Sequence, residues 1–294
     1  MLTVNNLNVT LDNLVLANDM SFSLEPGKVN VIIGPNGTGK STLLKTLFGD
    51  IQAKSGAISF NNETLNRKQL SQWRKQFGYM PQDISLDVEL SVLEVVLLGQ
   101  LNALGFRLDD SVIEEALSAL DKIGLLHLAD RQVNKLSGGQ CQMILFAQAL
   151  MRKPKILMLD EPVSALDLHF QHVLLDHLDM QTKEQGWITI MVLHDLNLAA
   201  QYADNLLVLK NGKLVANGHP NDILTQSLVK NVYNVNADIT KDSAGIPFVR
   251  TIRNTRATSS NSKTMESYSQ PETETEKAAL KVLSGASRHS KSLV

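Results

Sequence analysis

Gly34-Pro-Asn-Gly-Thr-Gly-Lys-Ser-Thr42 is the stretch on which the reading of this chain turns. Gly34, Gly39, Lys40 and Ser41 hold the fixed positions of G-x-x-x-x-G-K-[ST], with Pro35, Asn36, Gly37 and Thr38 between them and Thr42 after. Val29-Asn-Val-Ile-Ile33 before the loop reads as a short buried strand. Leu43, Leu44, Leu47 and Phe48 after it follow helical spacing and stop at Gly49. Strand, glycine loop and helix are the setting in which this pattern binds phosphate. Glycines let successive N–H groups turn toward a polyphosphate, the helix N-terminus adds positive charge, Lys40 reaches the outer phosphates and Ser41 offers a hydroxyl to Mg²⁺. A glycine-rich turn with an exposed lysine is the plainer alternative; composition alone gives the pattern in about one chain of this length in a hundred. The stretch is read as a nucleoside-triphosphate site.

Bulk properties narrow the field. The chain has 294 residues, enough for one large domain with an insertion or for two small ones. Apolar residues make up 43% and charged residues 20%, an ordinary globular composition, and the net charge of −2 supplies no basic field for nucleic acid. The start, Met1-Leu-Thr-Val-Asn-Asn6, lacks the basic and apolar regions of a signal peptide, and the longest apolar runs are too short to span a bilayer. A single cysteine, Cys141, excludes an internal disulfide. The expectation is a soluble intracellular protein whose membrane role, if it has one, comes through a partner.

Outward from the loop, residues 2–31 alternate like strands (Leu2, Val4; Leu7, Val9, Leu11; Phe22, Leu24) and predict a small antiparallel sheet. A further strand is expected over Gly56–Phe60. Ser91-Val-Leu-Glu94 and Ser111-Val-Ile-Glu114 both read as capping boxes, the second opening a helix whose face is Val112, Ile113, Ala116, Leu117, Leu120 and Ile123. A helical insert over about 86–152 is therefore expected. Lys155–Asp160 and Trp187–Leu193 read as parallel strands covered on both faces, which place Asp160-Glu161 and His194-Asp195 at carboxyl ends, where such sheets bind ligands. Asn211-Gly212 marks a hairpin, and 221–235 read as helical. The Ser-, Thr-, Glu- and Lys-rich stretch 254–294 reads as a solvated, disordered tail.

Asp160, after an apolar strand, stands where phosphate-loop proteins hold Mg²⁺, and Glu161 next to it can orient or deprotonate water. The pentapeptide Leu136-Ser-Gly-Gly-Gln140 adds an anion site at a helix start, through Ser137 and the N–H groups of Gly138 and Gly139. It resembles the signature of the ATP-binding cassette (ABC) ATPases, a match that composition gives in only a few chains per ten thousand. The resemblance covers about residues 2–235. It implies an α/β, phosphate-loop (RecA-like) parallel-sheet core with an antiparallel β subdomain and an inserted α-helical subdomain. ATP and Mg²⁺ are the implied cofactors. Gln82 is similar to the glutamine-loop residue that touches Mg²⁺ and water; Ser164-Ala-Leu-Asp167 is similar to the D-loop, and His194 to the switch histidine. Gly34–Thr42 would hold one ATP, and Ser137, Gly138, Gly139, Gln140 and Asp167 would meet the ATP of a second copy in a head-to-tail homodimer. Residues 236–253 would form a short extension.

Four positions depart from the pattern. Leu11 stands where an aromatic ring usually stacks on adenine, Cys141 and Met143 replace arginines after the signature, and Gln148 replaces a further arginine. Val95-Val-Leu-Leu-Gly99, Ala165–Gln171, His194–Asp204 and Gly212–Gly218 resemble the importers of iron–siderophore complexes, haem and cobalamin. That implies two permease subunits, an external substrate-binding protein, and a place on the cytoplasmic face of the cell membrane. Exporter subunits, soluble ABC ATPases acting on ribosomes or DNA, and non-hydrolysing regulatory modules are the alternatives. One loop and one signature, no sustained heptads, and the presence of Lys40, Asp160, Glu161 and His194 weigh against the last two.

Overall fold

A computed structural model of the chain describes residues 1–11, 14–82, 88–100 and 109–253. The expected tail at 254–294 and parts of the expected helical insert lie outside the described residues. The core is a six-stranded sheet of β3 (Lys28–Ile33), β6 (Phe77–Met80), β7 (Ile156–Asp160), β8 (Ile188–Val192), β9 (Asn205–Lys210) and β10 (Lys213–Gly218), in the order β10-β9-β3-β8-β7-β6. Every pairing is parallel except β9 with β10. Those two close through Asn211-Gly212, with φ 49° and 70°, the left-handed pair a tight hairpin turn needs.

Alternation along these strands divides the core into two layers. Val29, Val31, Ile33, Leu157, Leu159, Met191, Leu206 and Val208 point to one face. There they meet α5 (Gly138–Met151) and α6 (Leu168–Gln185). Ile32, Ile156, Met158, Ile188, Ile190, Val192, Leu207 and Leu209 point to the other face. That face is covered by α1 (Lys40–Phe48) and by the antiparallel sheet. The antiparallel sheet has β1 (Leu2–Leu11), β2 (Leu14–Leu24), β4 (Ser55–Phe60) and β5 (Glu63–Thr64) in the order β2-β1-β4-β5. Burial on both faces explains why the central strands read as continuous apolar runs.

After α2 (Leu70–Arg74), the α-helices among the described residues before α5 are α3 (Val92–Leu97) and α4 (Asp110–Lys122). α3 opens on the predicted capping box, with the Ser91 hydroxyl accepting from Glu94 N–H and the Glu94 carboxylate accepting from Ser91 N–H. For α4 the predicted box at Ser111 is incorrect: Asp109 is the cap and accepts from the Ser111 N–H. Aspartate caps as well as serine, and the earlier start also puts Asp110 in the first turn, where negative charge suits the helix dipole. The predicted face holds except at Ile113, which is half-buried outside the core cluster: Ala116, Leu120 and Ile123 are buried, and Val112 and Leu117 pack on the core.

The remaining helices are α7 (Leu196–Tyr202), α8 (Pro220–Ile223) and α9 (Gln226–Tyr233). The helix read over 221–235 is thus two short ones, broken at Leu224-Thr225 because Thr225 caps α9 with its hydroxyl. A final hairpin, β11 (Ala237–Lys241) with β12 (Pro247–Thr251), was not expected. Its strands are too polar to show alternation. It is fixed to α7 by Asn197, whose amide donates to Val249 O at 3.3 Å and accepts from Val249 N–H at 2.7 Å.

Candidate active site

The glycine loop joins β3 to α1, as its flanks predict. Gly34 has φ 150°, and a Cβ there would lie 2.2 Å from the Leu209 carbonyl oxygen, so no side chain fits. Gly37 and Gly39 have φ 77° and 94° and turn the chain back onto the helix N-terminus. Thr38 closes the loop by donating from Oγ1 to Pro35 O at 2.8 Å. Lys40 is buried, and its ammonium donates to Gly34 O at 2.9 Å and Pro35 O at 3.0 Å, leaving one of its three N–H donors for an anion. Burial lowers the Lys40 pKa, while Glu161 and Asp160 act to raise it.

The carboxylates arrive on β7. Asp160 ends the strand, is 1% exposed, and accepts from Ser41 Oγ at 3.0 Å. Burial raises its pKa, and the Ser41 bond opposes that rise. A serine hydroxyl beside one buried carboxylate fits Mg²⁺, which takes few protein ligands and fills its octahedron with water and phosphate oxygens. Glu161 has a left-handed backbone, φ 54°, unusual for a side chain of its size. Three donors hold its carbonyl: Gln142 Nε2 at 2.9 Å, Ser164 Oγ at 3.1 Å and Ser164 N–H at 3.3 Å. The turn aims the Glu161 carboxylate at His194, whose Nε2 lies 2.5 Å from Oε1. His194 itself stands just beyond β8, and Asp195 caps α7 behind it.

Lys40, Ser41, Asp160, Glu161 and His194 therefore gather at the carboxyl ends of β3, β7 and β8. Gln82 lies exposed just beyond β6, the strand beside β7, and makes no hydrogen bond among the described residues. The signature lies apart. Ser137 and Gln140 cap α5 reciprocally, at 3.2 Å and 3.1 Å, so the Gln140 amide oxygen is taken up in the cap. A Cβ on Gly139 would lie 2.9 Å from Ala165 O, which shows how closely this helix start packs on the 164–167 loop. Asp167 caps α6 by accepting from Phe170 N–H. Among the described residues, neither the signature nor Asp167 hydrogen-bonds to the phosphate loop.

Residues 17–164 match the family described as ABC transporter. The chain belongs to the ABC transporter family. It is 40% identical over 235 residues to the hemin import ATP-binding protein HmuV of Hahella chejuensis, covering 76% of this chain and 89% of that protein. To the iron(3+)-hydroxamate import ATP-binding protein FhuC of Bacillus subtilis it is 34% identical over 243 residues, covering 82% and 90%. Among solved structures it resembles a transporter assigned to the metal-chelate type in an inward-facing conformation, with TM-score 0.73 and 28% identity over 86% of this chain and 97% of that one. It also resembles the dimeric cassette MJ0796 bound to ADP and Pi, with TM-score 0.69 and 26% identity over 74% and 98%. This chain is accordingly an ATP-binding subunit and an ATPase that works with a membrane permease. No helix among the described residues is long and apolar enough to cross a membrane.

In this ABC ATPase the replaced arginines fall on a buried helix. Met143 is 1% exposed, and Gln148 donates to Val95 O at 2.9 Å, tying α5 to α3. Cys141 Sγ faces Val133 O at 3.7 Å as a packing residue. Two residues that matter to the site were not singled out from sequence. Gln142 links the signature helix to both sides of the 161–165 turn, since its Oε1 also accepts from Ala165 N–H at 3.1 Å. Burial pushes the phenol of Tyr233, at the end of α9, up to about 12, and the Gly34 backbone opposes that rise. Gln142 is visible as a polar residue in an apolar helix; nothing local marks Tyr233.

Proposed function

We propose that this chain energises an importer of iron compounds, haem or ferric siderophores. One observation carries the reading: a complete phosphate-loop, carboxylate and histidine set in a chain that matches haem and iron(3+)-hydroxamate import subunits over about 90% of their lengths. Gly34–Thr42 binds the phosphates of ATP, with the Lys40 ammonium on the outer ones. Ser41 and Asp160 would hold Mg²⁺, with Gln82 as a further ligand, and the ion would supply positive charge against the charge that builds on the phosphate oxygens. Glu161 orients the attacking water and takes its proton as oxygen adds to the γ-phosphorus and the bond to the β-phosphate oxygen breaks. His194 fixes the Glu161 carboxylate in place.

The signature is separate from the phosphate loop, which supports a two-copy assembly. The free N–H groups of Gly138 and Gly139, with Ser137, Gln140 and Asp167, would face the ATP held by the other copy. Two such chains would sit under two permease subunits on the cytoplasmic side of the membrane, with a binding protein delivering substrate outside. Uptake of labelled haem, ferric hydroxamates and cobalamin by cells lacking the chain tests this. Loss of haem or ferric-hydroxamate entry, restored by the intact chain and not by Glu161→Gln, is expected. Normal entry of all three, with no redundant importer present, would overturn the importer reading and turn the search toward an exporter.

A further inference from the structure

A cavity of about 560 Å³ opens at the end of the sheet opposite the phosphate loop. Four elements run from that cavity to the candidate active site. β7 starts beside it, just after Lys155, and β8 starts there at Ile188; they end at Asp160 and just before His194. α5 starts at the Ser137 cap and reaches it with Leu150 and Met151, and α6 runs from the Asp167 cap to Gln185 at its wall. At about 3.3 Å per strand residue and about 1.5 Å per helix residue, a ligand there sits roughly 15–25 Å from the phosphates.

The volume falls in the range of about 300–1,000 Å³ typical of small-ligand sites. Buried Trp187, Met151 and Phe60, 8%, 2% and 4% exposed, back its floor, and Asn61, Gln181 and Gln185 also line it. The charge around it is one-sided. Lys122, Lys153 and Lys155 line it against a single carboxylate, Glu115, which Lys153 already binds at 2.9 Å. Lys122 and Lys155 have no ion-pair partner among the described residues. His177 also faces in; it has an edge contact with Phe146 and no hydrogen bond among the described residues. Burial and the Lys122 charge lower its pKa, so the neutral ring offers one donor and one acceptor.

We propose that this cavity is a regulatory site for a small amphiphilic anion, with its apolar body against Trp187 and Met151 and its carboxylate or phosphate between Lys122 and Lys155. Such a ligand touches α4 and α5, the start of β8, the end of α6, and Phe60-Asn61 of the antiparallel sheet at once. It fixes these parts relative to one another without approaching the nucleotide.

Titration calorimetry on the full chain with 1-naphthoate, against neutral 1-naphthamide of the same shape, tests the site. The acid should bind about tenfold more tightly than the amide, through charge-assisted bonds. Lys122→Gln with Lys155→Gln should abolish that preference, and Ser118→Trp on the exposed face of α4 should block both compounds. ATP affinity should be unchanged in each variant, and bound naphthoate should alter turnover at saturating ATP. Equal binding of acid and amide, binding that survives the variants, or no binding at millimolar concentration would overturn the site. Binding that leaves turnover unchanged would overturn its regulatory role.

Discussion

Gln142→Met separates the catalytic turn from the helix that supports it. Methionine nearly matches glutamine in volume, so packing changes little, but it cannot bond Glu161 O or Ala165 N–H. Losing one hydrogen bond costs about 1 kcal/mol, and the stranded Ala165 N–H costs about 1–3 kcal/mol more, giving about 2–4 kcal/mol in total. At about 2–4 °C per kcal/mol for a chain of this size, the midpoint of thermal unfolding should fall by about 4–16 °C. Glu161 holds φ 54° against an intrinsic preference of about 1–2 kcal/mol for a right-handed backbone. With Gln142 gone, the Ser164 bonds must hold that strain unaided. Misplacement by even about 1.4 kcal/mol lowers turnover about tenfold. Gln148→Met is the control, since it loses a single bond to Val95 O on the same helix but away from Glu161. It should lose about 1 kcal/mol of stability and retain turnover within about twofold. ATP turnover and thermal melts on both variants decide the matter. Equal turnover losses in the two, or full turnover in Gln142→Met despite a lowered midpoint, would refute the idea that Gln142 positions Glu161.

Other predictions concern the carboxylates and the base. Glu161→Gln should bind ATP, hydrolyse it at least about a hundredfold more slowly, and accumulate as a dimer by light scattering; a variant that stays monomeric with ATP and its permease counts against the two-copy site. Burial raises the Asp160 pKa, so the folded chain holds that proton more tightly than the unfolded one, and stability falls as pH rises from the ordinary carboxylate range, about 4, toward the raised value. Asp160→Asn should remove that slope, melting higher than the parent at neutral pH while losing hydrolysis; a lower melting point at neutral pH contradicts the sign. Leu11 is 51% exposed at the end of β1, so Leu11→Tyr should tighten ATP binding by about 0.5–1.5 kcal/mol through ring stacking, measured by competition binding; unchanged affinity would place the adenine elsewhere.

Much of this protein was legible in its sequence because the relevant signals are local. The loop from Gly34 to Thr42, the caps at Ser91 and Ser137, the apolar strand ending in Asp160 and the turn at Asn211-Gly212 each state their geometry within a few residues. The cap of α4 was misplaced because Asp109 and Ser111 are equivalent as local signals; in the structure Asp109 takes the cap and Ser111 becomes its N–H donor. The last hairpin was missed because its order rests on Asn197, some fifty residues away. Tertiary structure alone decided which side chains meet: Ser41 with Asp160 across 119 residues, and Gln142 with the Glu161 turn. It also placed the far ends of α5, α6, β7 and β8 around a single cavity. Sequence sets each backbone's local preference, but such contacts form only when a shared core fixes the distances between elements.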